Sequence, residues 1–323
     1  MRSISNSRSL AVSKPKLKFI FEWLFRMSTI SPLHIDSRIA LAASARKITY
    51  DEIKFAIDWL KENGFVSVYD ERLFASDFIF AGDDDFRAAV IQEYLDRQDI
   101  DAIWMVRGGY GSIRIIDKLD FTKFALHPKF IIGFSDVTVF HGKMQRLGYP
   151  TIHASMPYNF ANKTADAMQS LYDVLLGKPL HYELKPFELN RFGEAEAEIV
   201  GGNLSVLYGM MGSSSFPETD GKILFIEEVD EYIYHIDRMM IALRRAGKLQ
   251  NLKGLIVGGL TEIHDNPDPF GKTVEEVIFE AVKDYDYPVC FGFPAGHFAD
   301  NRALILGEKF RLIVQNEKTT FDL

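Results

Sequence analysis

The sequence predicts an α/β fold in two domains, each built on a sheet with helices packed against it. Short apolar runs alternate along the chain with segments whose apolar residues recur at helical spacing, which is typical of a doubly wound parallel sheet. The length of 323 residues suits two domains of roughly 100–200 residues each. Hydrophobic residues make up 47% of the chain and charged residues 25%, as in globular proteins with a sizeable core.

The first domain is predicted over residues 30–160, where strand and helix patterns alternate most regularly. Residues 38–43 form a short apolar run typical of a buried strand. The helix after it begins at Thr49, with Glu52 at the spacing of a capping box. The further strands are predicted over residues 66–69, 101–106 and 130–133, and the further helices over residues 83–97 and 137–147.

A linker and a second domain are predicted after residue 160. The pattern weakens over residues 161–194, where only one helix, over residues 164–176, is predicted. The second domain covers residues 195–323, and a turn is predicted at Gly201-Gly202-Asn203. Its strands are predicted over residues 195–200, 222–226, 252–258, 289–293, 303–306 and 310–314, and its helices over residues 204–211, 234–246 and 274–283.

Residues 1–29 are interpreted as an extension before the globular part. The first 18 residues carry five basic side chains and no acidic one, and Glu22 interrupts the apolar run that follows. A secretory signal has a longer uncharged apolar core with a cleavage site close behind it. We therefore expect an extension that is disordered or not native, since Met27 offers a second start next to the globular pattern.

The composition argues against several classes of protein. A net charge of −8 argues against binding nucleic acid through a broad basic face. No run approaches the roughly 18–20 apolar residues that span a bilayer, so no membrane association is expected. The single cysteine, Cys290, permits no intrachain disulfide, which fits a reducing compartment. No His, Asp or Glu spacing matches a common metal site, so we expect no metal.

A serine stands between an apolar strand pattern and a helix pattern, in Gly133-Phe-Ser-Asp-Val-Thr. Such a turn presents the hydroxyl of Ser135 and points the next backbone N–H groups towards an oxyanion. Taken alone, the pattern favours a simple serine helix cap. The Gly-x-Ser-x-Gly pattern of ordinary α/β hydrolases is absent, because Val137 takes the place of the second glycine.

A glycine-rich turn, Arg107-Gly-Gly-Tyr-Gly, follows the third predicted strand. Glycines allow a backbone to approach a ligand closely, so this turn is interpreted as an oxyanion donor or a clamp for a substrate carboxylate. The alternative is a tight turn between strand and helix that binds nothing. The Gly-x-Gly-x-x-Gly fingerprint of a dinucleotide site and the lysine of a P-loop are both missing, so we expect no nucleotide cofactor.

Two acidic residues end an apolar strand pattern, at the edge where α/β proteins bind ligands. Strand alternation puts Glu227 and Glu228 on opposite faces, so only one of them faces a given site. His297 follows a strand pattern on a Gly- and Pro-rich turn and is the histidine that best suits a general base. Ser135, Glu227 and His297 would thus supply a nucleophile, an orienting carboxylate and a base.

Together these motifs resemble one family, the LD-carboxypeptidases, which are serine peptidases of murein recycling. The resemblance runs from about residue 30 to the C-terminus, and its motifs stand in family order at family-like spacing. Two departures are a replaced Gly-Asp pair before the first strand and Glu228 in place of the usual Asp. The motifs cover residues 107–112 with Arg114, residues 133–138, residues 201–205, residues 224–231 continuing to 236–239, and residues 296–297.

The resemblance implies roles for particular residues. The family's nucleophile maps to Ser135, its triad acid to Glu227 and its base to His297. Backbone oxyanion donors map to the residue after the serine and to the glycine pair. These donors are Asp136 and either Gly108 or Gly109.

The resemblance also implies substrate contacts, a fold and an assembly. Asn203 and Arg238 match recurring family positions near the cleft, and with Arg107 they are candidates for binding substrate carboxylates. The family fold has an N-terminal flavodoxin-like domain, with a doubly wound parallel sheet, and a C-terminal swivelling β/α domain. The triad would assemble across the cleft between them. Family members commonly form homodimers and need no metal or other cofactor.

We therefore expect a cytoplasmic serine carboxypeptidase that hydrolyses an L,D-amide and releases the terminal D-Ala of murein tetrapeptides. One alternative resembles the microcin C immunity peptidases, which cleave peptidyl or aminoacyl nucleotide conjugates. The loop after Glu228 carries Tyr232 and Tyr234 but lacks the tryptophan that would stack on the base, which favours the murein substrate. The other alternative is an inactive module that binds muropeptides, and the full Ser, Glu and His set argues against it.

Overall fold

The computed structural model describes residues 30–323, and the interpretation of residues 1–29 as an extension lies outside the described residues. Within them the chain forms two sheets and eight α-helices, which confirms the predicted α/β class. The strands are β1 (Arg38–Ala42), β2 (Val66–Val68), β3 (Ala102–Met105), β4 (Phe130–Gly133), β5 (Thr151–His153), β6 (His181–Leu184), β7 (Gly193–Asn203), β8 (Ile223–Val229), β9 (Gly254–Thr261), β10 (Val289–Cys290), β11 (Leu304–Leu306), β12 (Lys309–Val314) and β13 (Thr319–Asp322). The helices are α1 (Tyr50–Glu62), α2 (Asp84–Asp96), α3 (Ser112–Ile115), α4 (Thr138–Leu147), α5 (Ala165–Leu175), α6 (Leu204–Met210), α7 (Ile233–Arg245) and α8 (Val274–Val282).

The first sheet has six strands in the order β11-β5-β4-β3-β1-β2. Strands β1 to β5 are parallel, and β11 runs antiparallel to β5. β2 lies on one side of β1 and β3 on the other, so the strand order reverses between β1 and β3. Ligands of open α/β sheets bind at such a point, outside the carboxyl ends of the strands. The glycine-rich turn follows β3 and the Ser135 turn follows β4 at this edge.

The second sheet has seven strands in the order β10-β9-β8-β7-β12-β13-β6. Strands β7 to β10 are parallel, and the remaining pairs are antiparallel. Glu227 lies in β8 and His297 on the loop after β10, so both belong to this parallel half. The segment over residues 161–194 holds α5 and the strand β6, which pairs with β13.

The predicted turn at Gly201-Gly202-Asn203 is wrong, because β7 continues through all three residues. They pair in parallel with Phe225, Ile226 and Glu227 of β8. Gly201 has a φ of 130°, and a Cβ there would lie 1.9 Å from the carbonyl oxygen of Phe225. The glycines therefore serve close strand packing instead of a reversal of the chain.

The two sheets share their hydrophobic core. One buried cluster includes Val139 on α4, Leu204 on α6 and Ile226 on β8. The second sheet also contacts α4 near the serine turn, since the N–H of Asn203 at the end of β7 donates to Oγ1 of Thr138 at 2.9 Å. None of the helices within residues 30–323 is long and apolar enough to cross a membrane.

Candidate active site

Ser135 lies on a tight turn directly after β4. Its φ of 62° is in the left-handed region, where a residue other than glycine is uncommon and is often held for a functional reason. Residues Ser135–Val137 form one turn of 3-10 helix that leads into α4. Gly133 has no room for a side chain, because a Cβ there would lie 2.8 Å from Cγ2 of Val137. The turn thus presents the Ser135 hydroxyl at the carboxyl edge of the first sheet.

Ser135, Glu227 and His297, called the triad below, are connected by two hydrogen bonds. Oγ of Ser135 lies 3.0 Å from Nε2 of His297, and Nδ1 of His297 lies 2.7 Å from Oε2 of Glu227. Glu227 is fully buried, and the His297 side chain is 19% exposed. The carboxyl ends of β4 and β8 face each other, which brings these distant parts of the chain into contact.

The carboxylate of Glu227 stabilises the protonated imidazole of His297. Burial disfavours the charged form of His297, but the attraction and hydrogen bond of Glu227 outweigh it and raise the pKa of His297 above its usual value. Because Glu227 holds Nδ1, Nε2 is the nitrogen left to accept the proton of Ser135. The arrangement can therefore remove a proton from the hydroxyl and store it on the imidazole.

The glycine-rich turn lies against the serine. A Cβ on Gly108 would lie 3.3 Å from Cβ of Ser135 and 3.4 Å from its Oγ. Within residues 30–323, the backbone N–H groups of Gly108 and Gly109 have no protein acceptor. Free N–H groups beside a hydroxyl are the geometry that an oxyanion requires. Gly109 has a φ of 102°, and its backbone lies against the Arg46 side chain.

The Asp136 side chain joins the serine turn to the glycine-rich turn. Its carboxylate is buried and accepts a hydrogen bond from the N–H of Ser112 at 2.8 Å. Burial raises the pKa of Asp136 above its usual value, against the effect of this hydrogen bond. The Ser112 hydroxyl donates in turn to Oγ of Ser44 at 2.8 Å, on the segment after β1. The turns after β1, β3 and β4 thus form one hydrogen-bonded edge.

Glu227 and Glu228 face opposite ways, as strand alternation predicts. Oε1 of Glu228 accepts from Nδ2 of Asn203 at 2.9 Å, and Oε2 accepts from the N–H and hydroxyl of Ser205 at 2.7 and 2.6 Å. Asn203 also caps α6 through its Oδ1. Asn203 is therefore buried and hydrogen-bonded within the protein, and it pairs directly with Glu227 across the two strands.

The two arginines singled out as candidate carboxylate binders lie in different surroundings. The Arg107 guanidinium lies 4.0 Å from the centroid of the Tyr158 ring and 3.4 Å from Oε1 of Glu52. Arg238 is exposed on α7, where its guanidinium lies 5.4 Å from the centroid of the Tyr234 ring. Arg107 is next to Gly108 in the chain, whereas no hydrogen bond or ion pair in the described part of the protein joins Arg238 to the triad.

Three polar residues beside the triad have no signal in the sequence. His153 is fully buried, and neither ring nitrogen has a partner among the described residues. Oδ1 of Asn301 accepts from the N–H of Gly296 at 2.8 Å, directly before His297. Lys163 donates to the carbonyl oxygen of Phe298 at 3.0 Å, directly after His297. Only the folded chain brings these residues to the histidine, so spacing along the sequence does not reveal them.

A cavity of about 260 Å³ lies next to the His297 loop, which contributes Phe298 to its wall. Its apolar lining includes Phe187, Phe291 and Phe298, and no triad residue lines it. No group of three or more His, Cys, Asp or Glu side chains in the described chain is arranged to hold a metal ion.

Comparison with known proteins identifies the family. Residues 39–154 match the LD-carboxypeptidase N-terminal domain, and residues 196–312 match the LD-carboxypeptidase C-terminal domain. The chain therefore belongs to the LD-carboxypeptidase family, which is the S66 family of peptidases.

The chain is similar both to proteins named as murein carboxypeptidases and to a protein named as a microcin immunity protein. A probable murein peptide carboxypeptidase of Bacillus subtilis is 32% identical over 71% of this chain and 74% of its own. The microcin C7 self-immunity protein MccF of Escherichia coli is 26% identical over 89% and 93%. The crystal structure of muramoyltetrapeptide carboxypeptidase from Oxalobacter formigenes superposes with a TM-score of 0.81, at 26% identity, over 88% of this chain and 98% of that one.

Proposed function

We propose that the protein is a serine LD-carboxypeptidase that releases the terminal D-Ala of murein tetrapeptides by hydrolysing an L,D-amide. The observation that carries the proposal is the pair of hydrogen bonds from Ser135 through His297 to Glu227, at 3.0 and 2.7 Å. The names of the murein relatives support the choice of substrate.

The geometry supports a two-step acyl transfer. Oγ of Ser135 attacks the scissile carbonyl while Nε2 of His297 takes its proton, and Glu227 stabilises the imidazolium that forms. The N–H of Asp136 and the free N–H groups of the glycine pair, Gly108 and Gly109, donate hydrogen bonds to the oxyanion. His297 then gives its proton to the leaving amine of D-Ala. In the second step a water molecule attacks the acyl group on Ser135 while His297 takes a proton from it, and His297 returns that proton to Oγ of Ser135 as the acyl group leaves.

The domain organisation, assembly and location belong to the same proposal. Domains over residues 30–160 and 195–323, with a linker over residues 161–194, are supported by the two sheets, with two exceptions: β11 completes the first sheet, and β6 of the linker range belongs to the second. The order β2-β1-β3-β4-β5 supports a flavodoxin-like first domain. The second domain would be the swivelling β/α domain of the family. A cytoplasmic homodimer is the assembly that the family resemblance favours.

A second candidate function is cleavage of a peptidyl or aminoacyl nucleotide conjugate. An exposed aromatic group at the start of α7 favours it, since the rings of Tyr232 and Tyr234 lie 5.6 Å apart and the ring of His264 lies 5.5 Å from Tyr232. These side chains follow β8, which carries Glu227, and exposed rings suit stacking on a base. The similarity to MccF adds to this candidate.

Mass spectrometry of two incubations separates the candidates. The purified protein and Ser135→Ala are each incubated with murein tetrapeptide and with an aminoacyl sulfamoyl nucleoside. We expect the wild type to remove one D-Ala from the tetrapeptide and Ser135→Ala to remove none. Cleavage of the nucleoside conjugate alone would make the second candidate the function, and cleavage of neither substrate would contradict both.

A further inference from the structure

A cation lies beside His297 and has no acidic partner among residues 30–323. The ammonium of Lys163 donates to the carbonyl oxygen of Phe298 at 3.0 Å. The next residue is held to the same loop, because the N–H of Thr164 donates to the carbonyl oxygen of Ala299 at 3.1 Å. Lys163 is therefore fixed against the loop that carries His297.

The ammonium and the triad histidine both lie near one aromatic ring. Nζ of Lys163 lies 5.9 Å from the centroid of the Phe134 ring, and the same ring lies 4.7 Å from the His297 ring. Phe134 directly precedes Ser135 in the chain. The positive charge of Lys163 is close enough to oppose the rise in the pKa of His297. The ammonium is thus within electrostatic reach of the nitrogen that protonates a leaving group.

The ammonium has unused donors. It makes no ion pair with any residue from 30 to 323, and the Phe298 carbonyl uses one of its three N–H groups. Loss of water around the partly buried side chain lowers the pKa of Lys163. A partly buried charge without a counter-charge is unfavourable, and a ligand that brings a negative charge relieves it. The surroundings of Lys163 therefore suit an anionic group.

The other cations near the triad are less suitable. Arg107 already pairs with Glu52 and lies over an aromatic ring. Arg46 is exposed and lies against Gly109, on the side of the turn that would hold the carbonyl oxygen. Lys163 instead lies on the side of His297, where the leaving amine must receive its proton.

We propose that Lys163 binds the C-terminal carboxylate of the peptide substrate and so restricts cleavage to the last residue. The inference rests on the proposed function. The amine and the carboxylate of the departing residue are attached to the same carbon, so the group that His297 protonates is next to the group that Lys163 holds. A charge-assisted hydrogen bond in a partly buried site is strong enough to select a free carboxylate over a neutral amide.

The test compares two substrates that differ only at this carboxylate. A tetrapeptide that ends in D-alanine and the same peptide ending in D-alaninamide are given to the wild type, Lys163→Met and Lys163→Arg, and the released product is measured by chromatography. The ratio of kcat/KM for acid over amide should fall roughly 10- to 100-fold in Lys163→Met. Most of that ratio should return in Lys163→Arg, because arginine keeps the charge.

Two further variants complete the experiment. Lys143→Met removes the same charge from a partly buried position on α4, where Nζ lies 3.4 Å from Oγ of Ser214, and it should leave the ratio unchanged. Arg46→Gln tests the cation on the oxyanion side and should also leave the ratio unchanged.

Each other outcome has one meaning. If Lys163→Met slows both substrates alike, its role is structural and the proposal is wrong. If the ratio is lost in Arg46→Gln but kept in Lys163→Met, the carboxylate binds on the other side and the proposal is also wrong. If the wild type releases neither product, the proposed function itself fails, and this result is distinct because it appears without any variant.

Discussion

Replacing Glu227 with glutamine removes one charge from the triad and changes little of its shape. The carboxylate is fully buried and lies 2.7 Å from Nδ1 of His297, so the two charge centres are about 4 Å apart when the imidazole is protonated. At an effective dielectric constant of about 20, a pair at that distance attracts by about 4 kcal/mol. Losing this attraction alone corresponds to a rate roughly 10³-fold lower.

The amide of the variant also allows the wrong tautomer. If its NH₂ group donates to Nδ1 of His297, the imidazole proton moves to Nε2, which then cannot accept the proton of Ser135. We therefore expect Glu227→Gln to lower kcat for D-Ala release roughly 10³- to 10⁴-fold. KM should change by less than about threefold, because the charge acts mainly on the transition state.

A neighbouring carboxylate provides the matched control. Glu228 is also buried on β8, but it binds Asn203 and Ser205 and faces away from His297. Glu228→Gln should keep kcat within about tenfold of the wild type, measured in the same chromatographic assay. A loss below tenfold in Glu227→Gln, or equal losses in the two variants, would refute the assignment of Glu227 as the residue that orients and stabilises the imidazole.

Two other predictions concern pH and packing. Glu227 raises the pKa of His297, and the imidazole acts as a base only above that pKa, so kcat/KM should rise with pH through a midpoint above about 6.5. The midpoint should fall in Glu227→Gln, because the carboxylate that raises the pKa is gone. An identical midpoint in both proteins would contradict this prediction. Gly201→Ala should lower the free energy of unfolding by about 2–4 kcal/mol in urea denaturation, since its Cβ would lie 1.9 Å from the carbonyl oxygen of Phe225. Gly212 also has a positive φ but open space around it, so Gly212→Ala should lower the free energy of unfolding by only about 1 kcal/mol. Equal losses would show that backbone strain, and not the clash with Phe225, sets the cost.

Much of the fold follows from local patterns in the sequence. The long strands and helices were predicted because their apolar residues recur at clear spacing, and the capping box at Thr49 forms as predicted, with its N–H donating to Glu52 at 2.8 Å. The strands β5, β6 and β13 were not predicted, because none of them contains a run of adjacent apolar residues. β5 and β6 pair with strands that are distant in the chain, β11 and β13, and β13 also forms a hairpin with β12.

The surroundings of the candidate site depend on tertiary contacts. Strand ends were the signal for Ser135, Glu227 and His297, because parallel strands place their carboxyl ends at one edge. The glycine pair at Gly201 was misread as a turn, since its pairing with β8 overrides the local preference of glycine. Lys163 reaches His297 only through the folded loop, so no spacing along the sequence indicates it.

The position of β11 near the end of the sequence determines when the first sheet can be completed during protein synthesis. It begins seven residues after His297, at Leu304, and it covers the open edge of β5 in the first sheet. A ribosome must therefore release almost the whole chain before that sheet has its last strand, and until then β5 is an unpaired edge open to aggregation. Ser135 is likewise synthesised well before Glu227 and His297, so a nascent chain holds the candidate nucleophile long before its two partners.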